Sequence, residues 1–582
     1  MMKKIISILT ALVMTAAVIF GAGIITVSGL PGDTNEDGAI DNKDVVTLFR
    51  YVSGTEKAED ESKYDYNKDG VVDNKDVVAL FRAVSTGSVS VEETTEEETT
   101  EDLGEFTVEP DPDAELHIPM VFGDHMVIQR DAEIKVWGTS NKDGAQVRGT
   151  FMDESARAKV KDGKWEITFS PKEATFDPQT LTVEDSCGNV ITFSDILVGD
   201  VWMIGGQSNA EATSRDIPEP KRYIITNESK PLRLFHQGAN DVIYNKDKAA
   251  EPCDDLITTE RGWRIPDYDS AEYFSLLGWF LGDRLCAESG VPIGVISIAA
   301  SGATISELMP KELADQFGYT KGGAVGVSKY YNGLINPFLK MKFTAMVFFQ
   351  GESESFRGAD PAPKNYARDF EALMTELRSR WGFDFPIYNI QLSDYTAKAE
   401  TEYPYAINVS YVRAQQYNAY KKMSGVRLIP SYDLGAREGY ANFLHSPYKK
   451  ELAERVADLV LAEIYGVGSV DAALAPEPEK ITVVSSTEDQ KVIEIKFKNV
   501  GEGLRSSGGS DTVTGFAYGR TIQPNSLTAT TGKIISSDTV QLTVSAKCTY
   551  VGYANISHVE KGTAQLYNSY GLPALAFHLS VK

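Results

Sequence analysis

The chain has few cysteines and only one long apolar run. Its four cysteines, Cys187, Cys253, Cys286 and Cys548, lack the close spacing of a zinc site or a disulfide scaffold, although Cys253 and Cys286 could pair in an exported protein. The apolar run follows two lysines at the N-terminus and ends in small residues, which predicts a secretory signal peptide over residues 1–29, with a membrane anchor as the alternative. No other run approaches 18 apolar residues, so no membrane span is expected in the mature protein.

Basic residues are also scarce. The chain has 57 Lys and Arg against 83 Asp and Glu, a formal net charge of -26. The imbalance is uneven, because residues 31–113 contain 24 acidic and only 7 basic side chains. Such a charge disfavours nucleic acid as a partner, and the acidity near the N-terminus requires its own explanation.

A repeat explains much of that acidity. The segment DTNEDGAIDNKDVVTLFRYVSG begins at Asp33, and DYNKDGVVDNKDVVALFRAVSTG begins 32 residues later at Asp65. Each has oxygen-bearing side chains at loop positions 1, 3, 5, 9 and 12, a glycine at position 6 and a backbone carbonyl at position 7, the pattern of a calcium loop. The repeat therefore predicts two Ca²⁺ ions held by Asp33, Asn35, Asp37, Ala39, Asp41 and Asp44, and by Asp65, Asn67, Asp69, Val71, Asp73 and Asp76.

Both loops depart from an EF-hand. Position 12 is Asp rather than Glu, and an amphipathic helix follows each loop but does not precede it. Such duplicated units resemble a dockerin, over residues 32–87. The resemblance implies a cohesin of a scaffoldin as partner and a secreted, extracellular location in a cell-surface cellulosome; a calcium-stabilised spacer is the alternative. Residues 88–114, rich in Thr, Glu and Pro, predict an extended linker.

The rest of the chain changes from one β pattern to an α/β pattern and back. Short alternating runs separated by turn residues predict an antiparallel N-terminal β domain over residues 115–195. Within residues 196–468, apolar strands alternate with helical segments such as NYARDFEALMTELRSRW, which favours a parallel sheet covered by helices. The strands are expected at 200–204, 293–298, 344–349, 386–392 and 426–431. Residues 469–582 are expected to form a C-terminal β segment.

Polar residues follow the ends of these strands. Ser208, in GGQSNA, follows the first strand, and Gly302 follows the second. Gln350 and Glu352 follow the third, and Asp433 follows the fifth. Because ligand sites of parallel sheets lie beyond the carboxyl ends of the strands, we expect these residues on one rim. Gly, Ser and Asn are also ordinary turn residues, so a simple turn at Ser208 is the alternative to a nucleophile.

His445 is the predicted general base. It lies just before a helix for which Ser446 suits the N-cap and Pro447 the first turn. Of the six histidines, His236 in LRLFHQG is the other one inside the α/β region, and a histidine at the edge of a strand is more often structural.

Five blocks carry a second resemblance: GDVWMIGGQSNA, GVISIAASGATISELM, VFFQGES, VRAQQ and HSPYKKELAERVA. They resemble sialate O-acetylesterase-like proteins of the Ser-Gly-Asn-His hydrolase superfamily. The resemblance implies a flavodoxin-like three-layer α/β/α hydrolase domain with a parallel sheet, flanked by antiparallel β segments. It also implies deacetylation of sugar hydroxyls through an acetyl-serine intermediate, with no cofactor for catalysis.

The resemblance also implies residue roles. Ser208 corresponds to the nucleophile and His445 to the general base. The backbone N–H groups of Ser208 and Gly302 correspond to the oxyanion hole, which the side-chain amide of either Gln350 or Asn209 would complete.

Two departures from the family pattern bear on these roles. Ala303 replaces the second glycine of a Gly-Gly pair, and Asn442 stands where superfamily members often have Asp. We therefore expect the acid that orients His445 to be Glu352, or else Asp433. The dockerin favours acetylated plant hemicellulose, xylan or xyloglucan, as substrate. A sialate 9-O-acetylesterase and a non-catalytic glycan-binding protein on a degenerate hydrolase scaffold are the alternatives.

Overall fold

The structure is a computed structural model that forms two compact units, Met1–Gly104 and Glu105–Lys582. It describes residues 103–217, 231–237, 239–258, 262–267, 272–356, 362–395, 408–435, 444–521, 527–554 and 565–582, and, before them, Thr34, Asp44, Thr47, Leu48, Tyr51, Val52, Tyr64, Tyr66, Val72, Asp76 and Leu80. The predicted signal peptide and most of the predicted linker lie outside these residues. Among the described residues, no helix is both long and apolar enough to cross a membrane.

The described residues of the first unit share a small core. Leu48 and Leu80, one from each repeat, are fully buried together with Tyr64. The Tyr64 hydroxyl donates to the carbonyl of Thr34 at 3.2 Å, which joins the second repeat to the first. Asp44 and Asp76, at position 12 of the two predicted loops, are helical and fully buried. The other ten predicted calcium ligands lie outside the described residues: Asp33, Asn35, Asp37, Ala39, Asp41, Asp65, Asn67, Asp69, Val71 and Asp73.

The second unit begins with strands that mostly pair antiparallel, as predicted. They are β1 (Leu116–His117), β2 (Val127–Gln129), β3 (Ile134–Ser140), β4 (Gln146–Phe151), β5 (Glu154–Lys159), β6 (Lys164–Phe169), β7 (Thr175–Asp185) and β8 (Val190–Gly206). Strand β2, however, pairs parallel with β8. Strand β8 is 17 residues long. Its first half pairs with β7, and its second half is the first strand of the parallel sheet. One continuous strand therefore connects the two β regions.

The parallel sheet contains all five predicted strands. Its further strands are β9 (Leu232–His236), β10 (Gly262–Arg264), β11 (Ile293–Ser297), β12 (Ala345–Phe349), β13 (Ile387–Ile390) and β14 (Val426–Ile429). Their order is β10-β9-β11-β8-β12-β13-β14, and every neighbouring pair is parallel except β10 with β9. The buried strands are rich in branched and aromatic apolar residues, as sheets covered on both faces require.

Helices cover both faces of this sheet. The α-helices are α1 (Ser208–Glu211), α2 (Ala239–Tyr244), α3 (Leu276–Glu288), α4 (Lys311–Gln316), α5 (Glu352–Ser355), α6 (Tyr366–Trp381), α7 (Val409–Tyr420), α8 (Lys449–Ile464) and α9 (Val470–Ala473). Short 3₁₀ turns lie at Lys248–Ala250, Ile305–Glu307, Asn336–Phe338, Pro363–Asn365 and Tyr432–Leu434, and a π-helical turn lies at Tyr331–Ile335.

The side chains of β8 show which helices lie on which face. Helix α3 packs closely on Ile204, because a Cβ atom added to Gly278 of this helix would lie 3.0 Å from Cγ1 of Ile204. Phe370 of α6 packs on Phe348, with 5.7 Å between ring centroids, and Phe348 lies beside Gly205 in register. Successive residues of a strand face opposite sides, so α3 and α6 cover opposite faces. Helix α8 packs beside α3, and α7 packs beside α6.

A C-terminal β region follows helix α9. Its strands are β15 (Glu477–Ser486), β16 (Gln490–Lys498), β17 (Arg505–Ser506), β18 (Thr512–Gly519), β19 (Thr528–Ile534), β20 (Thr539–Ser545), β21 (Tyr550–Tyr553), β22 (Leu566–Tyr567) and β23 (Phe577–Ser580). Seven of them form one sheet. Gln391, just after β13, exchanges two hydrogen bonds with the backbone of Ala576, at 2.7 and 2.9 Å. The buried amide thus fixes this sheet to the parallel-sheet domain.

Candidate active site

The chain turns sharply where β8 ends. Gly206 has φ +130°, and a Cβ atom there would lie 2.0 Å from the carbonyl oxygen of Phe349, so only glycine fits. Gln207 then donates its N–H to the same carbonyl at 3.0 Å and is the N-cap of α1. Ser208 is the first residue of this short helix, and it is only partly buried. The predicted corner at Ser208 is therefore present, with the serine at its tip.

The residues near Ser208 hold the neighbouring loops. The side-chain oxygen of Gln207 accepts from the backbone N–H groups of Gly351 and Ser353, each at 3.2 Å, which fixes the loop after β12. Glu211 accepts from the N–H of Ser301 at 2.6 Å, which fixes the loop after β11. The helix that carries Ser208 is thus tied to the loops of both neighbouring strands.

Asn209 holds the segment that carries His445. Its Nδ2 donates to the carbonyl of Leu444 at 3.3 Å, and its Oδ1 accepts from the N–H of Ser446 at 3.3 Å. The same Nδ2 lies 2.6 Å from Oε1 of Glu352. One buried amide therefore grips the backbone on both sides of His445 and connects it to the residue following Ser208.

The backbone N–H groups of Ser208 and Gly302 have no acceptor among the described residues, and neither has that of Asn209, the next residue of α1. Gly302 has φ +73°, in the left-handed region that favours glycine. Ala300 ties this loop to β8 by donating to the carbonyl of Gly206 at 3.1 Å. The geometry thus leaves free the two donors that the sequence predicts for an oxyanion hole.

The two candidate side-chain amides already have partners within the protein. Nδ2 of Asn209 donates to Glu352 and Leu444, as described above. Nε2 of Gln350 lies 3.2 Å from Oε1 of Gln207, 3.2 Å from the carbonyl of buried Ala303 and 2.5 Å from Oε2 of Glu354. A role in the oxyanion hole would require either amide to exchange one of these partners, and it remains a prediction for both.

His445 lies in an environment that keeps its imidazole neutral. Burial lowers the pKa of His445 to about 4, and the positive charge of Lys449 adds to this effect, while Asp216 opposes it. A neutral imidazole at neutral pH can accept a proton, as a general base must. The rival His236 ends β9, two strands away from β8, with its ring edge-on to Phe274 at 6.2 Å.

The two candidate acids differ in their contacts. Burial raises the pKa of Glu352 to about 7, and its Oε2 has no hydrogen-bond partner among the described residues. Asp433 instead accepts two hydrogen bonds of 2.9 Å from Arg455 of α8. Glu352 reaches the His445 segment through Asn209, whereas Asp433 is held by a cation. Asn442 lies outside the described residues, so the choice of acid remains a prediction.

The predicted start of the last helix was wrong by two residues. Helix α8 begins at Lys449 with Tyr448 at its N-cap, rather than with Ser446 there. The reason lies in the backbone, because Tyr448 has φ -88° and ψ 46°, outside the helical region, although the Ser446 hydroxyl still accepts from the N–H of Tyr448 at 3.2 Å. The sequence left open whether Cys253 and Cys286 pair or remain separate thiols, and in the structure the two are not joined.

Several buried polar residues of this site were not predicted from the sequence. Gln207, Glu354 and Lys449 are all nearly or fully buried. Lys449 precedes Leu452 by three residues and Val456 by seven, so it lies on the apolar face of α8. A lysine at the helical spacing of the apolar residues is the sequence signal that could have predicted a buried Lys449.

Comparisons with known proteins agree with this geometry. A family model described as a carbohydrate esterase, sialic acid-specific acetylesterase, matches residues 198–462, and a dockerin type I domain matches residues 31–85. Sialate O-acetylesterase of Pongo abelii is 24% identical over 393 residues, covering 62% of this chain and 73% of that protein. The human sialate O-acetylesterase is 23% identical with the same coverage.

The fold is also found in a solved structure. A carbohydrate acetylesterase from Xanthomonas citri has a TM-score of 0.66 and 22% identity, covering 80% of this chain and 100% of that chain. The chain joins a type I dockerin domain to a domain of the sialic acid-specific carbohydrate esterases, and it is a carboxylic ester hydrolase.

Proposed function

We propose that the chain is a secreted, cellulosome-associated carbohydrate O-acetylesterase that deacetylates plant hemicellulose through Ser208 and His445. The observation that carries this proposal is the set of bonds around Ser208. Residues of its own short turn tie down the loop of Gly302, through Glu211, and the segment of His445, through Asn209. A preorganised nucleophile, base and pair of N–H donors are what acyl transfer requires.

The proposed reaction has two acyl transfers. Ser208 Oγ attacks the carbonyl carbon of the acetyl ester while its proton passes to His445. The N–H groups of Ser208 and Gly302 bind the resulting oxyanion. The bond between that carbon and the sugar oxygen then breaks, and His445 returns the proton to the departing oxygen. Water repeats these steps on acetyl-Ser208 and releases acetate.

We further infer that the hydrolase domain is flavodoxin-like. Numbered without β9 and β10, the strands β11, β8, β12, β13 and β14 lie in the order 2-1-3-4-5, and β9 and β10 extend the sheet beside β11. This order has a switch point beside its first strand, where ligand sites form in such sheets. Ser208 follows that first strand.

The dockerin is the reason for preferring hemicellulose, because docking to a cohesin of a scaffoldin would bring the enzyme to plant cell walls. Acetylated xylan and xyloglucan are therefore the proposed substrates. A sialate 9-O-acetylesterase is the second candidate, which the relatives' names favour. A panel experiment separates the candidates: acetate release is measured from acetylated xylan, acetylated xyloglucan and 9-O-acetylated sialosides, with Ser208→Ala as the control. Faster release from the sialosides would overturn the hemicellulose assignment, and release from no ester would favour a glycan-binding protein.

Dockerin domains bind calcium, and we propose two Ca²⁺ ions in this one. The oxygen-only donor set of the two repeats suits this hard cation, and the carboxylates of Asp44 and Asp76 are fully buried. Each ion would be held by the six residues predicted for its loop. Calcium would neutralise these crowded acidic side chains and order the module.

Chelation tests this part of the proposal. Removing calcium from the full chain should abolish binding to a cohesin, because the unneutralised carboxylates repel one another. Titration calorimetry should find two calcium sites, and hydrolysis of an aryl acetate should survive the same chelation. Cohesin binding that persists without calcium would contradict the proposed role of these loops.

A further inference from the structure

Lys449 is a buried lysine beside the proposed general base. It is the first residue of α8, four residues after His445, and its exposed fraction is 0%. Its Nζ lies 2.6 Å from Oδ1 of Asn209 and 5.5 Å from the ring centre of Phe349. Lysine is almost never fully buried without a partner, because removing an ammonium group from water is costly. The contact with Asn209 therefore calls for an explanation.

Lys449 and Glu352 together fix the orientation of the Asn209 amide. An ammonium group only donates hydrogen bonds, and an ionised carboxylate only accepts them. Lys449 therefore requires the amide oxygen on its side, and Glu352 requires the amide nitrogen on the other, 2.6 Å from Oε1. Only in this orientation can Oδ1 also accept from Ser446 N–H and Nδ2 donate to the Leu444 carbonyl.

We propose that Lys449 is a positioning residue of the esterase, which acts through Asn209 to hold both backbone neighbours of His445 against the helix that carries Ser208. This role rests on the proposed Ser208–His445 mechanism. If the amide were rotated by half a turn, its N–H₂ group would face the donors Lys449 and Ser446 N–H, and its oxygen would face the acceptors Glu352 and the Leu444 carbonyl. Loss of the Lys449 ammonium should therefore loosen His445 without removing any group that touches substrate.

The charges around His445 add a second consequence. Lys449 faces it from α8, Asp216 faces it from the loop after α1, and Glu352 faces Lys449 from α5. Burial and Lys449 both lower the pKa of His445, whereas Asp216 raises it. In acid solution, where Lys449 is charged, its removal should therefore raise the pKa of His445. The acid limb of the rate profile would move to higher pH.

Lys449→Met tests the proposal, because methionine keeps most of the apolar stem and removes the charge. With an aryl acetate at pH 7, kcat should fall about tenfold or more and KM should change little, since only the alignment of base and nucleophile is lost. The pH dependence of kcat/KM should show its acid limb at higher pH than in the wild type. Lys450→Met, at the exposed neighbouring position, is the matched control and should leave both unchanged.

A double-mutant cycle tests the route through Asn209. If Lys449 acts through this amide, Lys449→Met should add little to the loss of kcat caused by Asn209→Ala. Additive losses would overturn the proposal, and so would an unchanged kcat and acid limb in Lys449→Met. If Lys449→Met does not fold, as judged by circular dichroism, Lys449→Gln takes its place with the same expected shift, and an unshifted limb there overturns the proposal.

Failure of the underlying mechanism gives a different result. If the wild type hydrolyses no acetyl ester and a fluorophosphonate does not label Ser208, the proposed function itself fails, and the role of Lys449 fails with it. If the wild type is active and labelled, only the results with the Lys449 variants decide the positioning role.

Discussion

Two buried carboxylates, one at the amino ends and one at the carboxyl ends of the parallel strands, have very different surroundings. Asp200, at the amino edge on β8, accepts from Arg130 at 2.9 and 3.2 Å, from Gln129 at 3.1 Å and from Tyr465 at 2.8 Å. Glu352, at the carboxyl edge, accepts one hydrogen bond from an amide, and its other oxygen has no hydrogen-bond partner among the described residues.

The difference is the one expected between a structural carboxylate and a functional one. Asp200 is paired with a cation and bonded through both oxygens, so its burial is compensated locally. Glu352 is deprived of such bonds, and burial raises its pKa to about 7. Under-satisfied buried groups cost stability and occur mainly where function requires them. We infer that the carboxyl edge of the sheet gives up stability in order to hold the reacting groups.

The largest expected effect comes from Ser208→Ala. Loss of the nucleophile should lower hydrolysis of an aryl acetate by about 10⁴-fold or more, because the covalent route is removed. The fold should be unaffected, since the hydroxyl is partly exposed and the loops are held by Gln207, Asn209 and Glu211 rather than by Ser208. A folded variant that keeps most of its activity would refute the assignment.

The next largest effect is expected from replacing the acid proposed to orient His445. Glu352→Gln should lower kcat about a hundredfold with little change in KM, because the negative charge proposed to favour a protonated His445 is lost while the shape is kept. Asp433→Asn should be mild, since that carboxylate is occupied by Arg455. Steady-state kinetics on both variants ranks them.

Either of two other outcomes would change this assignment. The opposite ranking would transfer the role to Asp433. Two variants with activity near that of the wild type would indicate a Ser-His dyad, and Asn442→Asp would then be expected to raise activity.

Asp200→Asn, at the amino ends of the strands, tests the contrast between Asp200 and Glu352. It should lower the free energy of unfolding by about 2 kcal/mol, because a charge-assisted pair with Arg130 is lost. The activity of each folded molecule should stay near that of the wild type. Denaturant unfolding and an aryl acetate assay measure the two quantities. A fall in kcat as large as that of Glu352→Gln would show that the two edges do not differ as we infer.

Local sequence was sufficient to place the rim but not to predict its contacts. Ser208, Gly302, Gln350, Glu352 and Asp433 were found because a parallel sheet gathers whatever follows its strands, and a strand end is a local property of the chain. Strands β9 and β10 were not among the five predicted.

The function of a polar side chain depended on distant residues. Asn209 was one of two candidate donors to the oxyanion, with Gln350, but its partners Glu352 and Lys449 lie 143 and 240 residues further along the chain. Such pairings cannot be derived from spacing. The start of α8 was displaced because Tyr448 is not helical, even though the Ser446 hydroxyl accepts from its N–H. Buried networks were therefore the part that the sequence could not predict.

The smallest expected effect is a pH dependence of stability. Burial raises the pKa of Glu352 from 4.5 to about 7, so the folded state binds this proton more tightly than the unfolded chain does. The stability that this proton contributes is complete below about pH 4.5 and is lost as the pH rises to about 7. Glu352→Gln has no such proton, so the wild type should lose stability relative to it over that range, by about 1–3 kcal/mol.

Denaturant unfolding of both proteins at pH 5 and pH 7.5 measures this difference. Lys449 also faces Glu352, and burial lowers its pKa to about 7, so its own titration overlaps this range. Repeating the comparison in a Lys449→Met background removes that overlap, so that the carboxyl of Glu352 is the titrating group by which the two compared proteins differ. Glu354 is present in both proteins. If the difference in unfolding free energy is the same at both pH values in this background, Glu352 titrates as an ordinary exposed carboxyl. The contrast with Asp200 would then have no electrostatic basis, although Glu352→Gln would still remove a negative charge at neutral pH.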